Sequence, residues 1–144
     1  MNSSITEESD PKIFDFDTAK VFLMPDGIIC IDIKDDVDIL LADATEQHEA
    51  VRHFAGGKKR PVLIRTGDGG TIDKESQDFY RSERVGEPAL AEAIIARSLA
   101  HKIIINFLIK FDRPGRPIRM FTDEEEAVDW LNEERTKYNQ EHSN

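Results

Sequence analysis

Residues 25–65 read PDGIICIDIKDDVDILLADATEQHEAVRHFAGGKKRPVLIR, and the fold turns on this stretch. Pro25, Asp26 and Gly27 supply turn chemistry between the β-forming run 19–24 and a second run at 28–33, so the two runs form a hairpin. Within the second arm Ile29, Ile31 and Ile33 share one face, and Ile28, Cys30 and Asp32 share the other. That alternation predicts a strand buried mainly on one side. Asp36 or Asp38 is placed to cap a helix, because Val37, Leu40, Leu41, Ala44, His48, Val51 and then Phe54 or Ala55 draw one apolar stripe at helical spacing. Gly56 and Gly57 can take the left-handed conformation that ends it, and Val62 opens a short apolar strand, 62–65. Strand, helix, strand is a crossover unit. It makes its two strands parallel, with right-handed connection, and lays the helix on one face of the sheet.

Downstream, the glycine-rich loop 66–71 is followed by Asp73 as cap of a helix over 74–84, which Gly86 and Pro88 end. From Pro88 to Phe111 the pattern alone favours one long helix. A break at Ser98, a good N-cap, gives instead a strand over 90–97 and a helix over 99–111. Pro114, Gly115 and Pro117 then punctuate before a last strand at 118–121. Thr122 and Glu125 form a capping box for a final helix docked through Ala127, Val128, Trp130 and Leu131.

The chain has 144 residues, enough for one domain with a real core, and two full domains are not expected. Residues 1–11 are polar and predicted to be a flexible segment, 12–138 a single domain, and 139–144 a flexible tail. Its 19 Lys and Arg against 29 Asp and Glu give a formal charge of −10, which argues against nucleic acid as a partner. A single cysteine, Cys30, and a start without a basic region or an apolar stretch point to a cytoplasmic protein. No run reaches the roughly 18 apolar residues of a spanning helix, so no integral membrane segment is expected.

The order hairpin, helix, strand, helix, strand, helix, strand, helix resembles the STAS fold of anti-sigma-factor antagonists. The run Ile105-Asn106-Phe107, followed by Phe111, Pro114, Pro117, Arg119, Phe121, Ala127 and Trp130-Leu131, resembles a set of small uncharacterised bacterial STAS-like proteins. The resemblance spans residues 13–135. It implies an α/β fold, β-β-α-β-α-β-α-β-α, with a mixed, mostly parallel sheet of about five strands and helices mainly on one face. It also selects strand plus helix, broken at Ser98, for 90–111.

STAS antagonists bind a kinase-like partner and carry a phosphorylated Ser or Thr in the loop after the central strand, so the resemblance implies a non-enzymatic regulatory module with a protein partner, or a homodimer. Their usual Asp-Ser-Ser-Gly switch is absent: the corresponding region here reads RTGDGGTID, 65–73. Thr71 is the leading phosphoacceptor candidate, with Thr66 and Ser76 behind it, since a phosphate adds about −1.5 to −2 charge at a partner-facing loop. Gly69 and Gly70, with Arg113, Arg116 and Arg119 on a basic rim, are the candidate partner-binding residues. STAS-like proteins are also akin to CRAL-TRIO lipid-transfer domains, which implies an alternative: a small-molecule or lipid carrier with a pocket against Ile104, Phe107 and Phe111.

Other motifs carry less. The loop 66–71 sits between strand and helix, where amides can hold an anion, yet it lacks the Gly-Lys-Ser/Thr ending of a P-loop and holds Asp68. His48 and His53 stand five apart rather than four, and the extra residue turns the second imidazole about 100° further round the helix than a shared metal would need. The acidic residues between Asp32 and Glu49 do not follow the EF-hand pattern and read as caps and solvated helix face. The basic residues between Arg97 and Arg119 suit an acidic partner or a solvated surface equally. Cys30, in a strand interior, is not placed to be a nucleophile. No catalytic residue, cofactor or metal is predicted.

Overall fold

The computed structural model describes residues 12–82, 87–110 and 116–143; the side chains at 104, 105 and 107–110 fall outside the description. Strand β2 (Ala19–Leu23) and strand β3 (Ile29–Ile33) form the expected antiparallel hairpin, with Val21 opposite Ile31. Met24 and Gly27 close its turn, Gly27 N donating to Met24 O at 2.9 Å with Gly27 at φ 89°, a conformation that suits a residue without Cβ. Strand β1 (Ile13–Asp15), which the sequence did not announce, adds antiparallel to the outer side of β2.

Past β3 a short strand β4 (Asp38–Ile39) precedes helix α1 (Leu41–Ala55), which ends on Gly56 at φ 61°. Strand β5 (Arg60–Arg65) returns parallel to β3. Strand β6 (Thr71–Ile72) pairs with β4, and helix α2 (Lys74–Tyr80) starts from Asp73, whose carboxylate accepts from Ser76 N at 2.8 Å. Strand β7 (Ala89–Ile95), helix α3 (Leu99–Lys110), strand β8 (Ile118–Phe121) and helix α4 (Glu124–His142) complete the described chain. The stretch from Pro88 is therefore strand plus helix, broken where Ser98 Oγ accepts from His101 N at 3.2 Å.

The main sheet has six strands in the order β1-β2-β3-β5-β7-β8, antiparallel through the hairpin and parallel from β3 onward. It is the mixed, mostly parallel α/β sheet expected, enlarged by β1 and accompanied by the separate β4–β6 ribbon. Two apolar layers sandwich it. On one face Ala19, Val21, Ile29, Ile31 and Val62 pack under Ala50, Val51 and Ala55 of α1. On the other, Cys30, Leu63, Ala91, Ala93 and Phe121 meet Ala127 and Leu131 of α4. Among the described residues, α2 and α3 reach the α1 side of the sheet through Tyr80 and His101, and α4 covers the opposite face. Each fully buried Ile or Leu in these layers contributes roughly 1.5–3 kcal/mol over leaving it in water.

Four local expectations are corrected. Strand β3 is buried on both faces, because α4 covers the side that carries Ile28 and Cys30. Neither Asp36 nor Asp38 caps α1: Asp38 is in β4, Asp36 sits in a turn at φ 55°, and Asp43 Oδ2 instead accepts from Leu40 N at 2.9 Å. Helix α4 is capped by Asp123, accepting from Glu126 N at 3.1 Å, and not by Thr122. Residues 139–142, read as tail, continue α4 as far as His142, whose ring stacks on Tyr138 one turn back at 3.9 Å.

Candidate functional site

The register places Ile31, Ile64 and Ile94 side by side across three neighbouring parallel strands, on the α1 face. The next row along carries Val62, Glu92 and Ile118. Helix α1 shields the hairpin end of this face and leaves the end near β8 to be walled by other parts. Those are Val37 and Ile39 around β4, Ile72 of β6, the glycines of the loop 66–71, Tyr80 at the end of α2 and His101 in the first turn of α3. Together they enclose a cavity of about 140 Å³ that opens to solvent, with a predominantly aliphatic lining. A smaller pocket of about 40 Å³ reaches beneath α1 to His48 and Val51, and both are bordered by Ile31, Gln47, Ile64, Tyr80 and Glu92.

Few polar groups face this space, and most are committed to one another. Gln47, 1 % exposed, accepts from the Tyr80 hydroxyl at 2.7 Å and donates through Nε2 to Thr18 Oγ1 at 3.2 Å. Burial pushes the Tyr80 hydroxyl well above the ordinary phenol range, so it remains a donor. Glu92 and Arg116 form an ion pair whose side chains are 11 % and 2 % exposed. His101 borders the space with a half-buried ring, but its Nδ1 is shut off from solvent and therefore turned away from the open cavity, and it meets no hydrogen-bond partner among the described residues.

One wall of the cavity is a stitched ribbon. Thr71 N donates to Val37 O at 3.0 Å, Asp73 N to Ile39 O at 3.2 Å and Asp36 N to Asp68 O at 2.7 Å. Asp68 N donates to Asp35 Oδ1 at 2.8 Å, and the Thr71 hydroxyl to Asp38 Oδ1 at 2.7 Å. A Cβ at Gly70 would come within 2.1 Å of Val37 O, and one at Gly67 within 2.3 Å of Lys34 O, so this close approach of two backbones requires glycine at both. The loop amides of Asp68 and Thr71 are thus spent on the neighbouring segment rather than turned toward an anion.

The sequence-derived candidates separate accordingly. Thr71, Gly69 and Gly70 are exposed, and Gly69, Gly70, Thr66 and Thr71 all border the cavity. Thr66 donates its hydroxyl to Ile95 O at 2.6 Å. Ser76 is fully buried, its hydroxyl on Ile39 O at 3.3 Å, which removes it as a phosphoacceptor in the folded chain. Arg116 turns inward onto Glu92 and is not part of a basic rim. Arg119 is exposed, its guanidinium 4.9 Å from the Phe121 ring centroid. Arg113 and Phe111, and the side chains of Ile104 and Phe107, lie outside the described residues; among the described side chains of that helix His101 meets the cavity. Gln47, Tyr80, Glu92 and His101 were not singled out in advance. The one available signal was that Gln47 stands three residues after Ala44 and four before Val51, which puts it beside the stripe of α1 that already carries His48.

Other reactive groups stand apart. Cys30 is buried beneath α4, and loss of solvent pushes its thiol up to about 12. His48 packs edge-on against Phe79 at 5.7 Å, whereas exposed His53 meets Phe14 at 5.3 Å. Among the described residues no group of three or more His, Cys, Asp or Glu is placed to hold a metal ion, and no helix is long and apolar enough to cross a membrane.

Of two solved structures similar to the chain, the first supports this architecture. A protein of the DUF3478 family from Shewanella loihica PV-4, uncharacterised and described as having a SpoIIAA-like fold, superposes with a TM-score of 0.54 at 19% identity, over 78% of this chain and 91% of that one. A protein of unknown function from Arthrobacter sp. FB24 aligns at 22% identity over 77% of this chain and 90% of that one, with a TM-score of 0.26. No curated protein matches the chain. The profile of a domain of unknown function, DUF7793, matches residues 22–135, and the chain, a STAS-like α/β protein by its fold, belongs to that family.

Proposed function

We propose that this protein is a non-enzymatic binding module that takes a small, largely apolar molecule into the cavity between its sheet and the β4–β6 ribbon. The observation that carries this reading is the cavity itself: about 140 Å³ over a row of three isoleucines, with a small set of buried polar groups at its border. Apolar walls with a few placed polar groups are the usual make-up of a ligand site. Native mass spectrometry of gently purified protein, beside an Ile94→Trp variant that fills the cavity, tests it. A bound small mass on the wild type that is missing from the folded variant is the expected result. Wild-type protein that is always bare, and whose melting temperature no small apolar compound moves, refutes the reading.

Thr71 favours a second reading, regulation through a protein partner. Its exposed hydroxyl donates to Asp38 across the β4–β6 ribbon, with Asp36, Asp68 and Asp73 along the same two segments. Phosphate on Thr71 would set about −1.5 to −2 charge against Asp38 and remove the donor that joins the strands. Gly69, Gly70 and Arg119 would then belong to the surface a partner or a second copy reads. The test is affinity capture with wild type and Thr71→Glu. A specific partner lost from the variant supports the switch, and identical capture by both sinks it.

A further inference from the structure

We infer that Tyr80 is the specificity-determining residue of the cavity: its ring divides one groove into an outer and an inner chamber, and so limits the ligand to apolar molecules short enough for the outer one. This rests on the cavity being a ligand site and goes further in naming what fixes ligand length.

The two spaces share a floor. Along the parallel strands Val62 lies beside Glu92, and one step further on the same face Ile64 lies beside Ile94. The larger space, about 140 Å³, covers Ile94 and continues past the strand ends to Thr66. The smaller, about 40 Å³, runs the other way, over Val62 to Ala89 at the start of β7, beneath His48 and Val51 of α1. Both lie over Ile31, Ile64 and Glu92. They are consecutive lengths of one groove that follows the strands.

The divider comes from above. Among the described residues that border both spaces, only Gln47 of α1 and Tyr80, the last residue of α2, lie outside the sheet. The Tyr80 hydroxyl donates to Gln47 Oε1 at 2.7 Å, and Gln47 Nε2 donates onward to Thr18 Oγ1 at 3.2 Å. This chain of hydrogen bonds crosses the groove where one chamber gives way to the other. Swinging the ring aside would leave a buried hydroxyl and a buried amide oxygen unpaired, which is costly, so the ring stays across the groove. Phe79, edge-on to His48 at 5.7 Å, fixes the same end of α2 against α1.

Length selection follows. A chain-like apolar ligand gains about fourfold in affinity for each methylene it buries, and only while there is room for the next one. With Tyr80 in place that gain ends at the inner limit of the outer chamber, and further methylenes stay in water.

The experiment measures affinity of the full chain for primary alcohols from butanol to decanol by ligand-observed NMR. In the wild type affinity is expected to climb with chain length and then break to a plateau. In Tyr80→Ala the climb should continue past that break, about fourfold for the first alcohol beyond it. Tyr80→Phe keeps the ring and should keep the break. Ala89→Leu added to Tyr80→Ala fills the inner chamber from its far end and should restore the wild-type break. Each variant is first checked for a cooperative melt, and Tyr80→Leu, which removes the ring but leaves an apolar side chain, carries the same prediction where Tyr80→Ala does not fold. An unmoved break in the ring-less variants, or no break in the wild type, overturns the divider while leaving the cavity a binding site. A break that moves as far in Tyr80→Phe as in Tyr80→Ala overturns the role of the ring. Binding of no alcohol by any variant overturns this inference, while a natural ligand retained in native mass spectrometry would still stand for the site itself.

Discussion

Glu92 interrupts a strand otherwise built of Ala, Leu and Ile, and it is kept there by Arg116. Two charges withdrawn from water hold together only while both are present. Removing one leaves the other unpaired and buried, so Arg116→Met is expected to destabilise the fold by about 3–5 kcal/mol in urea unfolding. The double variant Glu92→Leu with Arg116→Met should recover most of that loss, because apolar groups of similar volume commonly replace a buried pair at no net cost. A double variant as unstable as the single one would mean that the pair does more than balance charge. Neither partner was legible from its neighbours. Arg116 stands between Gly115 and Pro117 in a basic loop and reads as surface; its inward turn follows from β8 lying beside β7, which brings residues 24 positions apart together. Cys30 was legible only as a residue of a strand interior: the alternation of β3 sets it on the face with Asp32, and it is the docking of α4 that buries that face.

At the scale of elements, long periodic segments announced themselves and short ones did not. Helix α1, its glycine stop, the hairpin turn and strand β8 all follow from spacing and turn chemistry. Two-residue strands such as β4 and β6 contain no period to detect, and their pairing takes up Asp38, one of the two aspartates that looked like caps for α1. The same competition decides the start of α4, where Thr122 with Glu125 has the wording of a capping box but Asp123 occupies the N-cap. Asp123→Ala should therefore cost about 0.5–2 kcal/mol of stability in a denaturant titration, and Thr122→Ala clearly less. Equal costs would return the cap to Thr122. The position matters because Glu124, the first residue of α4, reaches the Arg65 guanidinium with both oxygens, at 2.8 and 2.9 Å, pinning the helix to the end of the central strand. The candidate cavity was half legible for the same reason. A pocket between the sheet and α3 was expected, with the loop 66–71 read only as a partner-facing turn, whereas the floor depends on strand register, which emerges only when four separated strands align.

For the whole molecule, buried groups that hold their protons and paired carboxylates that give them up together set a pH window. Beneath α4, burial holds the Cys30 thiol up to about 12, and on the other face burial raises the Tyr80 hydroxyl. In the unfolded chain these groups ionise near 8.5 and 10. Below those values both states keep the proton and the contribution to stability is complete. As pH climbs from about 8.5 toward 12 the unfolded chain sheds protons that the folded one retains, and stability falls by up to about 1.4 kcal/mol per pH unit for each group in its range. On the acid side the signs reverse. The Arg65 guanidinium holds the Glu124 carboxyl below its ordinary value, and Lys34 does the same for Asp15, so their contribution is present above about pH 4.5 and is lost as pH drops through the folded values. Desolvation raises Glu46 and offsets part of this acid limb. Urea midpoints from pH 3 to 11 should accordingly form a plateau between about 5 and 8.5. Cys30→Ala, though less stable for its lost packing, should show a shallower fall from about pH 8.5, because one proton no longer separates the two states. An alkaline limb as steep in that variant as in the wild type would place the responsible group elsewhere, and Tyr80→Phe is the next to examine, since it removes the other raised group while leaving its ring against the cavity.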